Sequence, residues 1–307
     1  MKIIDFMFLI VLFCFLALGT YFLWLNLPNE QLEFETYKTD YSLEFPEQSI
    51  QFHKNMRFPE SKIGYKLSDS CSQKKIKDFT EAAEFLSKET ILSFYESDKP
   101  DIVISCSNIA PEPEEEGHFV AGEGGPAIII NSTQFAVIML GKIALYRPET
   151  CDSPQIATHE LLHALGFDHN SNKNSIMYPV TDCSQTLDPE IVEQIRKLYS
   201  IPSAGDLAIE KIEASKNGRY LNLDVVVANY GLKDSKDSTL HLYAKDTLVK
   251  SFELEELNIG SKKTLTITNV KIPRDTQKIK LVVETNEAEI SRENNEAEIS
   301  LIPSEDQ

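Results

Sequence analysis

The sequence predicts an α+β domain with a mixed sheet, followed by an all-β sandwich of immunoglobulin type and preceded by a transmembrane helix. Three observations support this fold class. The chain of 307 residues exceeds one typical domain, so two folded domains are expected. Beyond a linker at residues 201–205, the hydrophobic residues change to a period of two. An apolar run from Phe6 to Leu25 is long enough to span a bilayer as a helix.

The predicted organisation of the chain has four parts. Residues 1–27 form a transmembrane signal anchor, residues 28–55 a stalk or short pro-segment, residues 56–201 the α+β domain, and residues 206–303 the sandwich. The alternative for the first part is a signal peptide cleaved near Ala17-Leu18-Gly19. Apolar residues continue past that point, which favours an uncleaved anchor. We therefore expect a single-pass protein of the cell membrane whose C-terminal part is extracytoplasmic, or else a secreted protein.

Composition and cysteine usage agree with export. The formal net charge of −18 argues against nucleic-acid binding, because a phosphate-binding surface needs an excess of Lys and Arg. Four cysteines follow the apolar run, and an even number in an oxidising compartment predicts two disulfides. Of the three pairings that four cysteines allow, we favour Cys71 with Cys106 and Cys151 with Cys183.

A histidine-rich helix is the chemical centre of the sequence. Asp152-Ser153-Pro154 predicts the helix start, with a side-chain cap and Pro in the first turn. His159 and His163 are four residues apart, so both lie on the same face of that helix and can bind one zinc ion. Glu160 lies beside them and suits a general base acting on a zinc-activated water.

A third ligand is predicted just after the helix. Gly166 ends the helix, since Gly adopts the left-handed conformation at little cost, and the chain can then bring back His169. Three protein ligands leave one coordination position open, which is typical of a catalytic zinc rather than a structural one.

These residues carry a resemblance to a known family. The motif His159-Glu160…His163…Gly166…His169, with the later Ser-Ile-Met-Tyr-Pro at residues 175–179, resembles the metzincin metalloproteases and most closely the matrixins. The resemblance implies a zinc metalloendopeptidase with one catalytic Zn²⁺, acting on peptide or protein substrates. It also implies that Met177 forms an apolar floor beneath the three histidines.

The resemblance implies two substrate-binding features, and the sequence departs from the family pattern at two points. In the family, the edge strand before the zinc helix binds the substrate as an added strand. The strand expected in that place consists of Lys142, Ile143, Ala144, Leu145 and Tyr146. The wall of the specificity pocket would be Pro179, Val180 and Thr181, which departs from the Pro-x-Tyr of many matrixins. The Pro-Arg-Cys-Gly of the matrixin cysteine switch is absent, so latency by a thiolate is not expected.

Periodicity predicts the remaining elements of the α+β domain. The expected helices are 69–88 and 188–199, and the expected strands are 57–67, 91–95, 101–105, 127–130 and 142–146. Two loops, one acidic (residues 111–117) and one glycine-rich (residues 122–126), offer oxygens that suit Ca²⁺, although solvated loops are the favoured interpretation.

The C-terminal third predicts a β-sandwich. Seven segments alternate apolar with polar residues, namely 207–212, 220–227, 239–243, 248–254, 265–270, 279–283 and 297–301. Val-Ala-Asn-Tyr-Gly at 227–231, Leu-Asn-Ile-Gly at 257–260 and Glu-Asn-Asn at 293–295 resemble the CARDB family of prokaryotic cell-surface domains. That resemblance implies a surface ligand for the sandwich.

The expected function is therefore a membrane-anchored, extracytoplasmic zinc endopeptidase. The main alternative is a cell-surface adhesion or scaffold protein in which the metalloprotease-like domain only binds zinc. The presence of Glu160 favours the enzyme, because a binding module has no use for the base. A zinc hydrolase acting on a non-peptide amide is a third hypothesis.

Overall fold

The computed structural model describes residues 3–26, 31–43, 50–112 and 119–302. The apolar run forms a single helix, α1 (Ile3–Asn26). Among the described residues, no helix combines the length and hydropathy needed to cross a membrane. The predicted transmembrane helix is therefore not supported.

The α+β domain is built on a six-stranded mixed sheet. Its strands are β3 (Met56–Arg57), β4 (Lys62–Leu67), β5 (Ser93–Glu96), β6 (Ile102–Cys106), β7 (Gly122–Asn131) and β8 (Ala136–Leu145). Parallel pairs give the order β3-β8-β6-β4-β5, and β7 pairs antiparallel with β8. Two short strands, β3 and β4, replace the single strand predicted at residues 57–67.

The predicted position of the edge strand was wrong. The central part of β8, which includes Lys142 to Leu145, pairs with β6 on one side and β7 on the other, so Ile143 lies opposite both Ile104 and Gly124. Tyr146 donates its backbone N–H to the carbonyl of Ala121. The edge strand that lies against the zinc helix is β7, which begins in the stretch predicted as a glycine-rich loop. Glycine indicated a loop, but here it permits a close approach to the zinc helix.

Three helices complete the domain: α2 (Gln73–Glu89), α3 (Gln155–Ala164) and α4 (Pro189–Ser200). Ser72 is the N-cap of α2 and its hydroxyl accepts the N–H of Lys75, so the helix begins at Gln73 rather than at the predicted residue 69. Phe79 and Leu86 of α2 and Leu161 of α3 are fully buried in one core against the sheet. Both favoured disulfides, Cys71–Cys106 and Cys151–Cys183, are confirmed.

The C-terminal domain is a sandwich of two antiparallel sheets. All seven predicted strands are present: β9 (Leu207–Asn217), β10 (Tyr220–Asn229), β11 (Ser238–Ala244), β12 (Thr247–Leu254), β13 (Lys262–Lys271), β14 (Lys278–Thr285) and β15 (Glu296–Ser300). One sheet has the order β12-β11-β14-β15, and the other contains β9, β10 and β13. The inward-facing residues of both sheets form one core, as alternation predicts.

The segment predicted as a stalk or pro-segment supplies further strands to that sandwich. Strand β1 (Gln31–Glu33) pairs antiparallel with β9, and β2 (Tyr37–Lys38) pairs with the same strand. Phe34 lies between them and is buried in the sandwich core. The strands are too short to give a sustained period, which is why the sequence alone did not reveal them.

The two domains pack against each other through the turn between β7 and β8. Phe135 and Val137 are buried against Leu232 of the sandwich. The hydroxyl of Ser132 donates to the carbonyl of Tyr230 at 3.1 Å. The hairpin that carries β7 is thereby fixed to the sandwich at the end farthest from the zinc helix.

Candidate metal centre

The start of helix α3 is held by a residue outside the helix. Pro154 occupies the N-cap position without a side-chain cap, which corrects the predicted cap at Asp152-Ser153. The carboxylate of Glu149 instead accepts the N–H of Ile156 at 2.9 Å through one oxygen and the N–H of Cys151 at 2.9 Å through the other. An acidic group at the first turn also complements the helix dipole. The Glu149 cap therefore fixes the start of α3 and, with it, the positions of His159 and His163.

The chain turns back directly after α3. Gly166 has φ +96, and a Cβ there would lie 2.6 Å from the side chain of Met56, so both conformation and space require glycine. The N–H of Asp168 then donates to the carbonyl of Ile50 at 2.8 Å. The turn brings His169 beside the helical histidines, as predicted.

The Nε2 atoms of the three histidines converge on one point. The distance is 2.9 Å between His159 and His163, 3.2 Å between His159 and His169, and 3.1 Å between His163 and His169. His159 and His163 are buried, whereas His169 is exposed. This is the one group of three or more His, Cys, Asp or Glu side chains in the described residues that could hold a metal ion.

Backbone carbonyls fix the protonation of the two buried rings. The Nδ1 of His159 donates to the carbonyl of Ile176 at 2.6 Å, and the Nδ1 of His163 donates to that of Phe167 at 2.7 Å. A carbonyl only accepts, so the proton stands on Nδ1 and the Nε2 lone pair is free. Burial lowers the pKa of His159 to about 3 and that of His163 to about 4, which keeps both rings neutral.

This donor set fits a zinc ion. Two buried nitrogen lone pairs that face each other at 2.9 Å repel unless a cation lies between them. Zn–N bonds of about 2.05 Å in a tetrahedral site place the nitrogens about 3.3 Å apart, close to the separations found here. The carbonyls that receive the Nδ1 protons orient the rings, as is usual for metal-binding histidines.

Glu160 lies next to this site without joining the three nitrogens. It is buried, and burial raises the pKa of its carboxyl to about 8, with a smaller contribution from the charge of Glu123. A cation held by the histidines would act in the opposite direction. Strand β7 lies directly on this residue: a Cβ at Gly122 would lie 2.7 Å from Glu160 Cγ, and one at Gly124 would lie 2.2 Å from its carbonyl oxygen.

The segment after the site places the predicted Met-turn and pocket wall. Met177 is fully buried and follows Ile176, whose carbonyl binds His159. Pro179 and Val180 are exposed, and Thr181 is half-buried. They follow the Met-turn as predicted; their role in specificity stays a prediction.

Three residues near the site were missed by sequence reasoning. Glu149 caps α3, the buried Gln185 donates to the carbonyl of Val180 at 2.9 Å, and Glu123 accepts the hydroxyl of Tyr146 at 2.5 Å. Glu123 and Tyr146 are 23 residues apart, so no local pattern joins them. Glu149 and Gln185 bind backbone groups within seven residues of themselves, but neither fits the usual cap or ligand spacing by which a sequence is read. Residues 113–118 of the acidic loop lie outside the described residues, and residues 122–126 form part of β7 rather than a loop, so calcium binding by these two stretches is not shown.

Three convergent histidines beside a buried carboxylate, two of them on a helix that packs against an edge strand, form the type of site found in metal-dependent hydrolases. Comparison with protein families agrees. Residues 54–200 match the family described as Matrixin and residues 204–299 match CARDB, so the chain carries a matrixin domain followed by a CARDB domain. The matrixin domain supports a zinc metallopeptidase.

The other comparisons give less. No curated protein matches the chain. Among solved structures, the chain is similar to the CARDB domain of a Pyrococcus furiosus protein, which was crystallised in complex with di-metal ions. The two are 21% identical, with 32% of this chain and 93% of that chain covered and a TM-score of 0.26.

Proposed function

We propose that this protein is an extracytoplasmic zinc-dependent endopeptidase in which Glu160 is the general base. The observation that carries the proposal is the convergence of the Nε2 atoms of His159, His163 and His169 next to a buried carboxylate. The matrixin match supports the peptidase class. The three imidazoles would hold one Zn²⁺, which supplies a Lewis acid that favours water deprotonation and carbonyl polarisation.

The side chains then have separate tasks. Glu160 takes a proton from water as the water oxygen adds to the scissile carbonyl carbon. The C–N bond breaks as Glu160 passes that proton to the amine nitrogen, so one water molecule is consumed for each peptide bond. Burial of Glu160 keeps bulk water from its carboxyl and suits a group that must both accept and return a proton.

The free edge of β7 supports an extended peptide as substrate. An added strand would form main-chain hydrogen bonds with β7, as in other strand-addition complexes. Because Gly122 and Gly124 lie against Glu160, a strand on that edge would run beside the catalytic groups. A small non-peptide amide would make no use of this edge, which favours peptides over the third hypothesis.

The proposed location is the outside of a cell membrane or the extracellular medium. The two disulfides support it, since such bonds persist in oxidising compartments. Helix α1, whose apolar side chains from Met7 to Leu23 are largely exposed, would either remain as a single-pass anchor or be removed with a signal peptide. Membrane fractionation with mass measurement of the mature N-terminus distinguishes the two. We further propose that the CARDB sandwich binds a surface ligand.

The function is tested by measuring zinc content and peptidase activity together. The protein used starts at Pro28, so that β1 remains in the sandwich. We expect one zinc per chain, cleavage of a mixed peptide library, and loss of cleavage with a chelator. Glu160→Gln should keep the zinc and lower kcat at least about 100-fold. Zinc without cleavage would favour the binding module, and absence of zinc would refute the proposal.

A further inference from the structure

Glu123 occupies a defined place on the edge strand β7. Its neighbours Gly122 and Gly124 face α3, where added Cβ atoms would lie 2.7 Å and 2.2 Å from atoms of Glu160. Successive side chains of a strand point to opposite faces of the sheet. The side chain of Glu123 therefore points to the outer face, away from α3, and it is exposed.

The carboxylate of Glu123 is oriented by a hydrogen bond. The hydroxyl of Tyr146 donates to Glu123 Oε2 at 2.5 Å, and this bond is the main cause that raises the pKa of Tyr146 to about 12. Tyr146 is itself held to β7, since its N–H donates to the carbonyl of Ala121 at 2.9 Å. No ion pair involves Glu123 within the described ranges, so its negative charge faces the solvent beside the cleft without a cation of its own.

The register of an added strand decides which substrate residues meet Glu123. Side chains of a peptide paired with β7 alternate between the face of α3 and the outer face. Those on the outer face would lie about 5 Å from the nearest side chain of β7 on that face, counted between Cβ atoms. Lys and Arg can reach a carboxylate over that distance. The net charge of −18 also attracts cationic peptides at long range.

We propose that Glu123, positioned by Tyr146, forms a subsite that selects a positively charged substrate side chain on the outer face of the cleft. This inference rests on the proposed function, because it uses the same cleft. The preferred Lys or Arg would lie an odd number of positions along the peptide from each substrate residue that faces α3.

The test compares peptides that differ by one charge. A single cleavable sequence is prepared with Lys, or with the uncharged norleucine, at each position in turn. Their dissociation constants are measured by fluorescence anisotropy on the zinc-loaded Glu160→Gln protein, and kcat/KM is measured on the wild type. Lys should be favoured roughly threefold to tenfold at one or more alternate positions, and the preference should shrink as salt is added.

Variants of Glu123 supply the decisive comparison. Glu123→Gln keeps an oxygen for the Tyr146 hydroxyl but removes the charge, so the Lys-to-norleucine ratio should fall to about one. Glu123→Lys should favour Glu at the same peptide position. Glu96→Gln, the same change on the exposed β5 strand at the opposite side of the sheet, should keep the wild-type ratio.

The outcomes separate the subsite from the catalytic function. Cleavage without any Lys preference, or a preference that Glu123→Gln retains, would overturn the subsite while the endopeptidase proposal stands. A Lys preference in binding that Glu123 controls, without cleavage by the wild type, would support the subsite and overturn the endopeptidase. Absence of the Lys preference in both binding and cleavage would overturn the subsite, whether or not the wild type cleaves peptides.

Discussion

Gly124 lies directly against the backbone of Glu160, with no room between them for a side chain. A Cβ on Gly124 would approach the Glu160 carbonyl oxygen to 2.2 Å, a contact that neither rigid backbone can relieve by a rotamer change. This contact therefore fixes the position of strand β7 relative to helix α3, which carries His159 and His163.

Gly124→Ala is expected to lower the free energy of unfolding by about 2 kcal/mol or more, because β7 and α3 must separate. Urea unfolding measures the loss. Gly125→Ala is the matched control, since a Cβ there meets nothing within 4 Å, and its effect should stay within about 0.5 kcal/mol. Equal effects of the two substitutions would contradict the close packing.

Phe34→Ala should destabilise the sandwich although the residue belongs to the N-terminal segment. Phe34 is 3% exposed in the sandwich core, and loss of a buried Phe costs about 3–5 kcal/mol. Denaturation followed by circular dichroism tests this. Phe119→Ala is the comparison, because Phe119 is 59% exposed and should lose less than about 1 kcal/mol. A Phe34 variant as stable as wild type would show that the segment does not complete the sandwich.

Removal of the Cys151–Cys183 disulfide should change substrate preference as well as stability. The bridge joins the start of α3 to the segment after the Met-turn, where Gln155 donates to the carbonyls of Cys183 and Gln185. Replacing both cysteines by Ser should cost about 2–4 kcal/mol and alter the side-chain preference measured on a peptide library.

The other disulfide is a control of similar loop length. Cys71–Cys106 spans 35 residues against 32 for Cys151–Cys183, so its removal should cost a similar free energy. It joins the segment before α2 to β6 and should leave the preference unchanged. A change of preference in both double variants, or in neither, would contradict a specific role for the bridge at the pocket wall.

Asp206 should make the sandwich less stable as pH rises. Its side chain is fully buried and accepts one amide hydrogen bond from Asn294, and burial raises the pKa of its carboxyl from 3.8 to about 6. A raised folded-state pKa stabilises the fold fully below pH 3.8, and this contribution is lost as pH rises through about 6. The loss amounts to about 3 kcal/mol.

Asp206→Asn removes this contribution, because the amide keeps an acceptor for Asn294 and does not titrate. Unfolding free energies of wild type and variant are measured from pH 4 to 8, and their difference isolates Asp206 from other carboxyls such as Glu289. The variant should gain stability relative to wild type as pH rises from about 4 to about 6, and keep that gain at higher pH. Parallel curves over this range would refute the assignment.

The sequence predicted the parts of this protein that depend on local spacing. Ligand spacing on one helix gave His159 and His163, a glycine after it gave the turn to His169, and alternation gave the seven sandwich strands. The edge strand was misassigned because pairing partners depend on tertiary contacts. Gly122 and Gly124 indicated a loop, whereas glycine there permits the approach to Glu160. Phe34 packs on strands far along the chain, where periodicity carries no signal. Glu149 caps α3 from seven residues before Ile156, outside the position at which a side-chain cap is expected.

The N-terminal strand has a consequence for the order of biosynthesis. Strand β1 pairs with β9, and the carbonyl of Glu33 accepts the N–H of Ile302. The matrixin domain is therefore inserted between the first strand of the sandwich and the other strands. A ribosome makes β1 first and its partner only after residue 207. The sandwich also contacts the far end of β7, since a Cβ at Gly260 would lie 2.7 Å from the carbonyl oxygen of Asn131. A nascent chain thus has its cleft strand supported at both ends only once translation is nearly complete.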